Sequence, residues 1–196
     1  MRDNIKDMVM ATSENGVITT RKVSELGIGR SILKVLTDSG DLIRCSRGIY
    51  MQPHEWEDEF YLLQKRYAQG ILSHGTALYL HGCSERVPLS IHMTFPTSYN
   101  CRSLKQENVL VTRVLPENYM LGITSTLTPS GNTVRVYDIE RSLCDVVRGS
   151  GDDIQITQYA MKKYAASKQR DINKLMKYAK QLRVEPKIRR YMEVLL

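Results

Sequence analysis

The sequence predicts an α+β chain of two domains, an N-terminal winged helix-turn-helix followed by a mixed α/β domain with a short antiparallel-rich sheet and a C-terminal helical bundle. Three observations point there. Residues 15 to 53 run as strand, helix, Gly turn, helix and tight hairpin, residues 90 to 137 hold four β-prone runs, and from residue 138 onward apolar positions recur at helical spacing.

Val17 and Ile18 supply a short strand, after which Thr19 or Thr20 offers a side-chain oxygen to cap a helix through Leu26, with Val23 and Leu26 as its buried face. Gly27 stops that helix, and Gly27-Ile28-Gly29 is the short turn that lets two helices cross steeply. The next helix runs from residue 30 to about residue 39. Ile32, Leu33 and Leu36, with Ile28 ahead of them, form its apolar stripe, while Arg30, Ser31 and Lys34 fall on the solvent face. Gly40 ends it. Asp41-Leu42-Ile43 and Gly48-Ile49-Tyr50 then read as a hairpin joined by Arg44-Cys45-Ser46-Arg47, with both arginines projecting. In such a module the second helix enters the major groove with its N-terminal residues against base edges, and basic side chains on the hairpin reach phosphate. The expected duplex contacts are Arg21, Lys22, Arg30, Ser31, Lys34, Arg44 and Arg47, with Arg30 the best-placed reader. A module that binds protein instead would carry the same arginines as ordinary solvated charge.

Gln52-Pro53-His54 marks the expected boundary, giving domains 1–53 and 54–196, the second with an α/β part to about 150 and a basic helical part from about 151. The acidic stretch Glu55-Trp56-Glu57-Asp58-Glu59 opens a helix to about residue 69, with Phe60, Leu62, Leu63 and Tyr67 on one face and Gly70 at its end. Ser73 caps a helix holding Ala77, Leu78 and Leu80, which Gly82 stops. Strands are expected at 90–95, 109–115, 122–127 and 133–137, the last two joined by Pro129-Ser130-Gly131-Asn132. Asp138 sits where an N-cap belongs, ahead of Ile139, Leu143, Val146 and Val147, and Asp145 can pair with Arg141 or Arg148 on the exposed side.

Three more helices close the chain. The first spans about 153–167, from Asp153, with Tyr159, Ala160 and Tyr164 inward. A second, capped by Asp171, aligns Ile172, Leu175, Met176, Ala179 and Leu182 and leaves Lys174, Lys177 and Lys180 toward solvent. The third starts at Glu185-Pro186, aligns Ile188, Tyr191, Met192 and Leu195, and carries Lys187, Arg189 and Arg190 outside.

At 196 residues with 42% hydrophobic and 25% charged content, the chain has the composition of an ordinary soluble protein. No apolar run approaches the length of a membrane span, and Met1-Arg2-Asp3-Asn4-Ile5 lacks the apolar block of a signal peptide, so a cytoplasmic location is expected. Cys45, Cys83, Cys101 and Cys144 show no paired spacing, which favours reduced thiols. The net charge of +7 is uneven: residues 1–53 hold eight Lys or Arg against six acids, 54–151 nine against ten, and 152–196 eleven against five. Basic ends suit a polyanionic partner, because neutralising phosphates releases counterions.

Candidate chemistry is sparse. His74, His81, Cys83 and His92 lack any CxxC, HxxxH or HxH spacing, so neither a metal nor a cofactor is expected. Ser73 beside His74 is discounted as a nucleophile and base, because sequence neighbours rarely aim at each other. Asp138, Glu140 and Asp145 follow a pair of strands, a layout some metal-dependent nucleases use, but the expected lysine is missing from their neighbourhood. An enzyme is therefore the lesser alternative.

Three passages carry a family resemblance: the segment ending Arg47-Gly48-Ile49-Tyr50, the run Ser73-His74-Gly75-Thr76-Ala77-Leu78-Tyr79-Leu80-His81-Gly82, and Val136-Tyr137-Asp138-Ile139-Glu140-Arg141-Ser142-Leu143-Cys144-Asp145. With the basic helical tail, they resemble the AbiEi family of antitoxins in order and spacing. That resemblance implies an abortive-infection, phage-defence setting and a type IV toxin-antitoxin system. It further implies an N-terminal domain that binds inverted repeats as an autorepressor, and a C-terminal domain that counters a nucleotidyltransferase-like toxin without a stable complex. The protein is expected to be a monomer in solution with more than one copy on DNA. Lys174, Lys177, Lys180, Arg189 and Arg190 are the candidate antitoxin or auxiliary DNA surface. The alternative is a DNA-binding regulator with no antitoxin role.

Overall fold

A computed structural model describes residues 2–55, 57–149 and 154–195. The expectations placed on Trp56, on Asp153 and on a divide at 150–151 lie outside the described residues. The chain is mixed α/β, with helices and two separate sheets, and divides into two compact units, residues 1–68 and 69–196. Among the described residues no helix is long and apolar enough to cross a membrane.

Unit 1 runs α1 (Arg2–Met10), β1 (Val17–Thr19), α2 (Thr20–Glu25), α3 (Ser31–Asp38), β2 (Ile43–Ser46), β3 (Ile49–Met51) and α4 (Glu59–Arg66). Thr19 caps α2 by accepting the Lys22 N–H at 3.2 Å. Gly27, at φ +72°, then allows a tight stop in which Ile28 N–H donates to Val23 O at 3.2 Å and Gly27 N–H to Ser24 O at 3.0 Å. These bonds satisfy carbonyls the helix end would otherwise orphan. Val9, Ile18, Val23, Leu33, Leu36 and Leu42 form the core, with Ile28, Ile32 and Tyr50 packed against it. Leu26, expected beside Val23, is 48% exposed instead, because it occupies the C-cap position rather than the inner face of the short helix.

The three strands pair antiparallel in the order β1-β3-β2. The hairpin connection is shorter than expected: β2 extends through Ser46, Arg44 lies in the strand opposite Tyr50, and a register shift falls between Arg44 and Ser46. Only Arg47 and Gly48 stand between the strands, which is why Gly48 takes φ +80°. The boundary also differs from 53/54. Asp58 caps α4 through the Tyr61 N–H at 3.2 Å, and α4 contacts β3, so the acidic segment belongs to unit 1.

Unit 2 comprises β4 (Ile71–Leu72), α5 (His74–Leu80), β5 (Ile91–Pro96), a 3-10 turn (Arg102–Gln106), β6 (Val109–Val114), α6 (Pro116–Tyr119), β7 (Ile123–Leu127), β8 (Thr133–Tyr137), α7 (Ile139–Arg148), α8 (Ile154–Ala166), α9 (Ile172–Gln181) and α10 (Glu185–Leu195). Its sheet runs β6-β5-β4-β8-β7 and is evenly mixed rather than antiparallel-rich: β4–β5 and β7–β8 are antiparallel, while β4–β8 and β5–β6 are parallel. The unforeseen strand is β4, whose two residues are too short to show a period. It sits between β5 and β8, and any side chain on the preceding Gly70 would collide with Met93 and Phe95.

The helical side packs around Leu78, Leu143, Met161, Leu175, Leu182 and Ile188. Asp138 caps α7 through the Arg141 N–H and Asp171 caps α9 through the Lys174 N–H, each at 2.8 Å. Tyr159, expected inward, points outward and donates to Glu85 at 2.6 Å, because Thr157, Ala160, Met161 and Tyr164 take the buried face of α8.

Candidate functional site

Unit 1 presents its cations on the surface. Arg30, Ser31 and Lys34 are exposed at and just after the start of α3, and Arg44 and Arg47 are exposed on the hairpin. Two contacts hold these elements together. Thr20 donates to Gly48 O from its N–H at 2.9 Å and from its hydroxyl at 3.2 Å, fastening the hairpin tip to the first turn of α2. Arg30 Nε donates to Ser24 Oγ at 3.0 Å, laying its guanidinium against α2. Lys34, Arg44 and Arg47 have no partner among the described residues. Arg21 and Lys22 differ from them, since Arg21 pairs with Glu25 at 2.8 Å and Lys22 with Glu14 at 3.0 Å. Glu14 also binds Lys65, and the two lysines hold its carboxyl below the usual range. Nothing in the sequence near Lys22 announces Glu14, which β1 and the preceding turn bring alongside.

Unit 2 uses many of its charges internally. Arg141 is 0% exposed and Asp145 4%, so the pair expected on an exposed face is buried. Arg141 Nε donates to both Asp145 oxygens at 3.0 Å, Nη1 donates to Asn118 O and Leu121 O, and the guanidinium lies 4.4 Å from the Tyr137 ring centroid. Burial pushes the Asp145 carboxyl up to about 6, against the downward pull of Arg141. Burial prevails because the guanidinium divides its donors between the carboxylate and two carbonyls.

The lysine missing from the sequence neighbourhood of Asp138 and Glu140 is supplied by α9. Lys174 Nζ lies 3.0 Å from Asp138 Oδ2 and 3.0 Å from Glu140 Oε2, so this residue is not a free solvent cation as expected. Burial alone would depress its ammonium, but the hydrogen bonds to Glu140 and Asp138 outweigh that and raise its pKa. Tyr164 donates to Glu140 at 3.1 Å and Tyr178 to Asp138 at 3.4 Å. The result is a knot that ties α9 to α7, with both carboxylates already satisfied by a cation. Asp145 is spent on Arg141, and among the described residues no group of three or more His, Cys, Asp or Glu is arranged to hold a metal ion.

Ser73 and His74 do meet, contrary to expectation. His74 takes φ +52°, which turns Nδ1 to within 3.0 Å of Ser73 Oγ, while Thr94 donates to the same oxygen at 2.9 Å. His92 stacks on His74 with centroids 3.8 Å apart. Ser73 has no exposed surface, so its hydroxyl joins strand β5 to the start of α5 instead of meeting solvent.

No family model matches the chain, and no curated protein does. A solved structure similar to it is that of the RV2827C protein from Mycobacterium tuberculosis, with a TM-score of 0.48 and 16% identity over 98% of this chain and 79% of that one. That likeness assigns neither family nor function.

The five C-terminal cations grouped in the sequence are dispersed. Lys174 is tied to α7, Arg189 pairs with Glu185 at 2.8 Å, Lys177 and Lys180 are exposed on α9, and Arg190 lines a groove bounded by α7, α8 and α10. The observed boundary also redistributes charge. Residues 1–68 hold ten Lys or Arg and ten acids, whereas 69–196 hold eighteen and eleven, so the whole +7 belongs to unit 2.

Proposed function

We propose that unit 1 is a winged helix-turn-helix that binds double-stranded DNA, with α3 entering the major groove and the β2–β3 hairpin acting as the wing. The observation that carries this reading is that exposed, unpaired cations lie on two elements each tied to α2: Lys34 on α3, whose leading Arg30 bonds Ser24, and Arg44 and Arg47 on a hairpin fastened through Thr20. Arg30 and Ser31 face base edges, Arg44 and Arg47 meet phosphate, and Arg21 and Lys22 contribute only by exchanging intramolecular acids for DNA. Unit 1 is neutral overall, so its affinity for DNA depends on where these charges sit rather than on their surplus.

Together with the AbiEi-like passages, this supports an antitoxin-type autorepressor in which unit 2 opposes a nucleotidyltransferase-like toxin, and it assigns no enzymatic role. Arg30→Ala tests the base-reading part and should weaken cognate duplex selectively, by about 1–3 kcal/mol; equal loss on random duplex rules out base reading. Arg47→Ala should weaken all duplexes and reduce the salt slope by about one. A charge-removing change at Lys177 and Lys180 then separates the two roles of unit 2. Lost toxin rescue with intact DNA affinity supports an antitoxin surface, and the reverse supports a DNA-binding regulator alone.

A further inference from the structure

The groove between the C-terminal end of α7, α8 and α10 has a volume of about 700 Å³ and combines two features. Its walls are aliphatic: Ile154 is 64% exposed and Val194 81% exposed, with Leu195 half-buried beside them. Among the described residues its charged lining is cationic, formed by Lys162, Lys187 and Arg190. Lys187 donates to Val147 O at 3.3 Å, and neither Lys162 nor Arg190 has a partner among the described residues.

We propose that this groove docks an acidic amphipathic helix of a protein partner, its apolar edge on Ile154, Val194 and Leu195 and its carboxylates on Lys162, Lys187 and Arg190. Each half of the surface selects for that occupant. Exposed aliphatic groups gain from burial against other apolar side chains, and a helix presents such groups at i, i+3, i+4 and i+7 with charge on either flank. Nucleic acid would satisfy the cations but leave the aliphatic walls wet, since phosphates do not bury apolar surface and single strands stack on aromatic rings. A small anionic amphiphile needs a site that encloses most of its own surface, which walls as open as Val194 do not provide. Opposite charges on the rim set partner choice and association rate, and the apolar strip supplies the binding free energy. The surface lies entirely in unit 2 and does not depend on DNA binding by unit 1.

The test uses the full chain and a labelled synthetic helix of about four turns with Leu at helical spacing and Glu on both flanks, titrated by fluorescence anisotropy. Val194→Asp and the pair Lys162→Glu with Arg190→Glu should each weaken binding by about tenfold or more. A peptide with Lys in place of Glu should bind the charge-reversed pair better than the parent chain. Equal affinity for a scrambled peptide of the same composition would show that charge alone is read and overturns the proposal. So does unchanged peptide affinity in the variants, or loss in those variants of duplex DNA or oleate binding while peptide binding persists.

Discussion

Units 1 and 2 handle charge in opposite ways. Unit 1 builds its core cluster from six apolar side chains and leaves its cations on the surface, whereas unit 2 buries Arg141 completely and commits Lys174 to two carboxylates. The difference shows that a charge count along the chain is not a map of surface potential. Unit 1 is neutral yet displays unpaired cations on its surface; unit 2 carries the surplus yet spends part of it holding helices in place.

The sharpest way to break this comparison is to remove one half of the buried pair. Arg141→Met should destabilise unit 2 by about 3–5 kcal/mol, because Asp145 is left buried without its counterion. Adding Asp145→Leu should recover most of that loss. Denaturant unfolding with hydrogen exchange resolved by unit would show unit 1 protected throughout; a loss under about 1 kcal/mol would place the pair in solvent. The counterpart in unit 1 is Leu33→Ala, an ordinary cavity with an expected loss of about 3 kcal/mol confined to residues 1–68.

Smaller effects sharpen the contrast. Thr19→Ala should cost about 1 kcal/mol, as a cap and nothing else. Asp138→Ala should cost more than Thr19→Ala, since Asp138 both caps α7 and holds Lys174. Equal losses would mean the Lys174 bridge contributes nothing.

Acidification should move the units in opposite directions. Asp145 has its folded pKa raised by burial, from 3.8 to about 6, so it favours folding below pH 3.8, and that contribution fades as pH rises through about 6. Glu14 is lowered by Lys65 and Lys22, so its contribution is present above pH 4.5 and fades as pH falls. Between pH 6 and 4, Asp145 therefore stabilises unit 2 while Glu14 contributes less to unit 1. Asp145→Asn should flatten the unit 2 response, and an unaltered profile would remove Asp145 from it.

The readable parts of the sequence were those fixed locally. The Thr19, Asp138 and Asp171 caps, the Gly27 and Gly40 stops and the stripe of Leu33 and Leu36 each depend on residues within a turn or two. What escaped depended on distant partners. Residues 2–10 form α1 and supply Val9 to the unit 1 core, which the sequence reading did not foresee. Lys174 reaches Asp138 and Glu140 only because α9 packs on α7, and Asp145 is buried because α7 is covered by α5, α8 and α9. Periodicity identified the four apolar positions of α7 but could not show that its polar residues were buried too. Of the expected DNA contacts, the sequence placed Arg30, Ser31, Lys34, Arg44 and Arg47 on the surface, but not the acids beside Arg21 and Lys22.

The most direct test of DNA recognition by unit 1 is an anisotropy titration of the full chain against the duplex upstream of its own gene and a scrambled duplex of equal length, at about 50 and 200 mM salt. The expected result is a preference of about 10³ or more for the native duplex at both salts, reduced by Arg30→Ala. Equal affinity for the two duplexes, unmoved by Arg30→Ala, would contradict it.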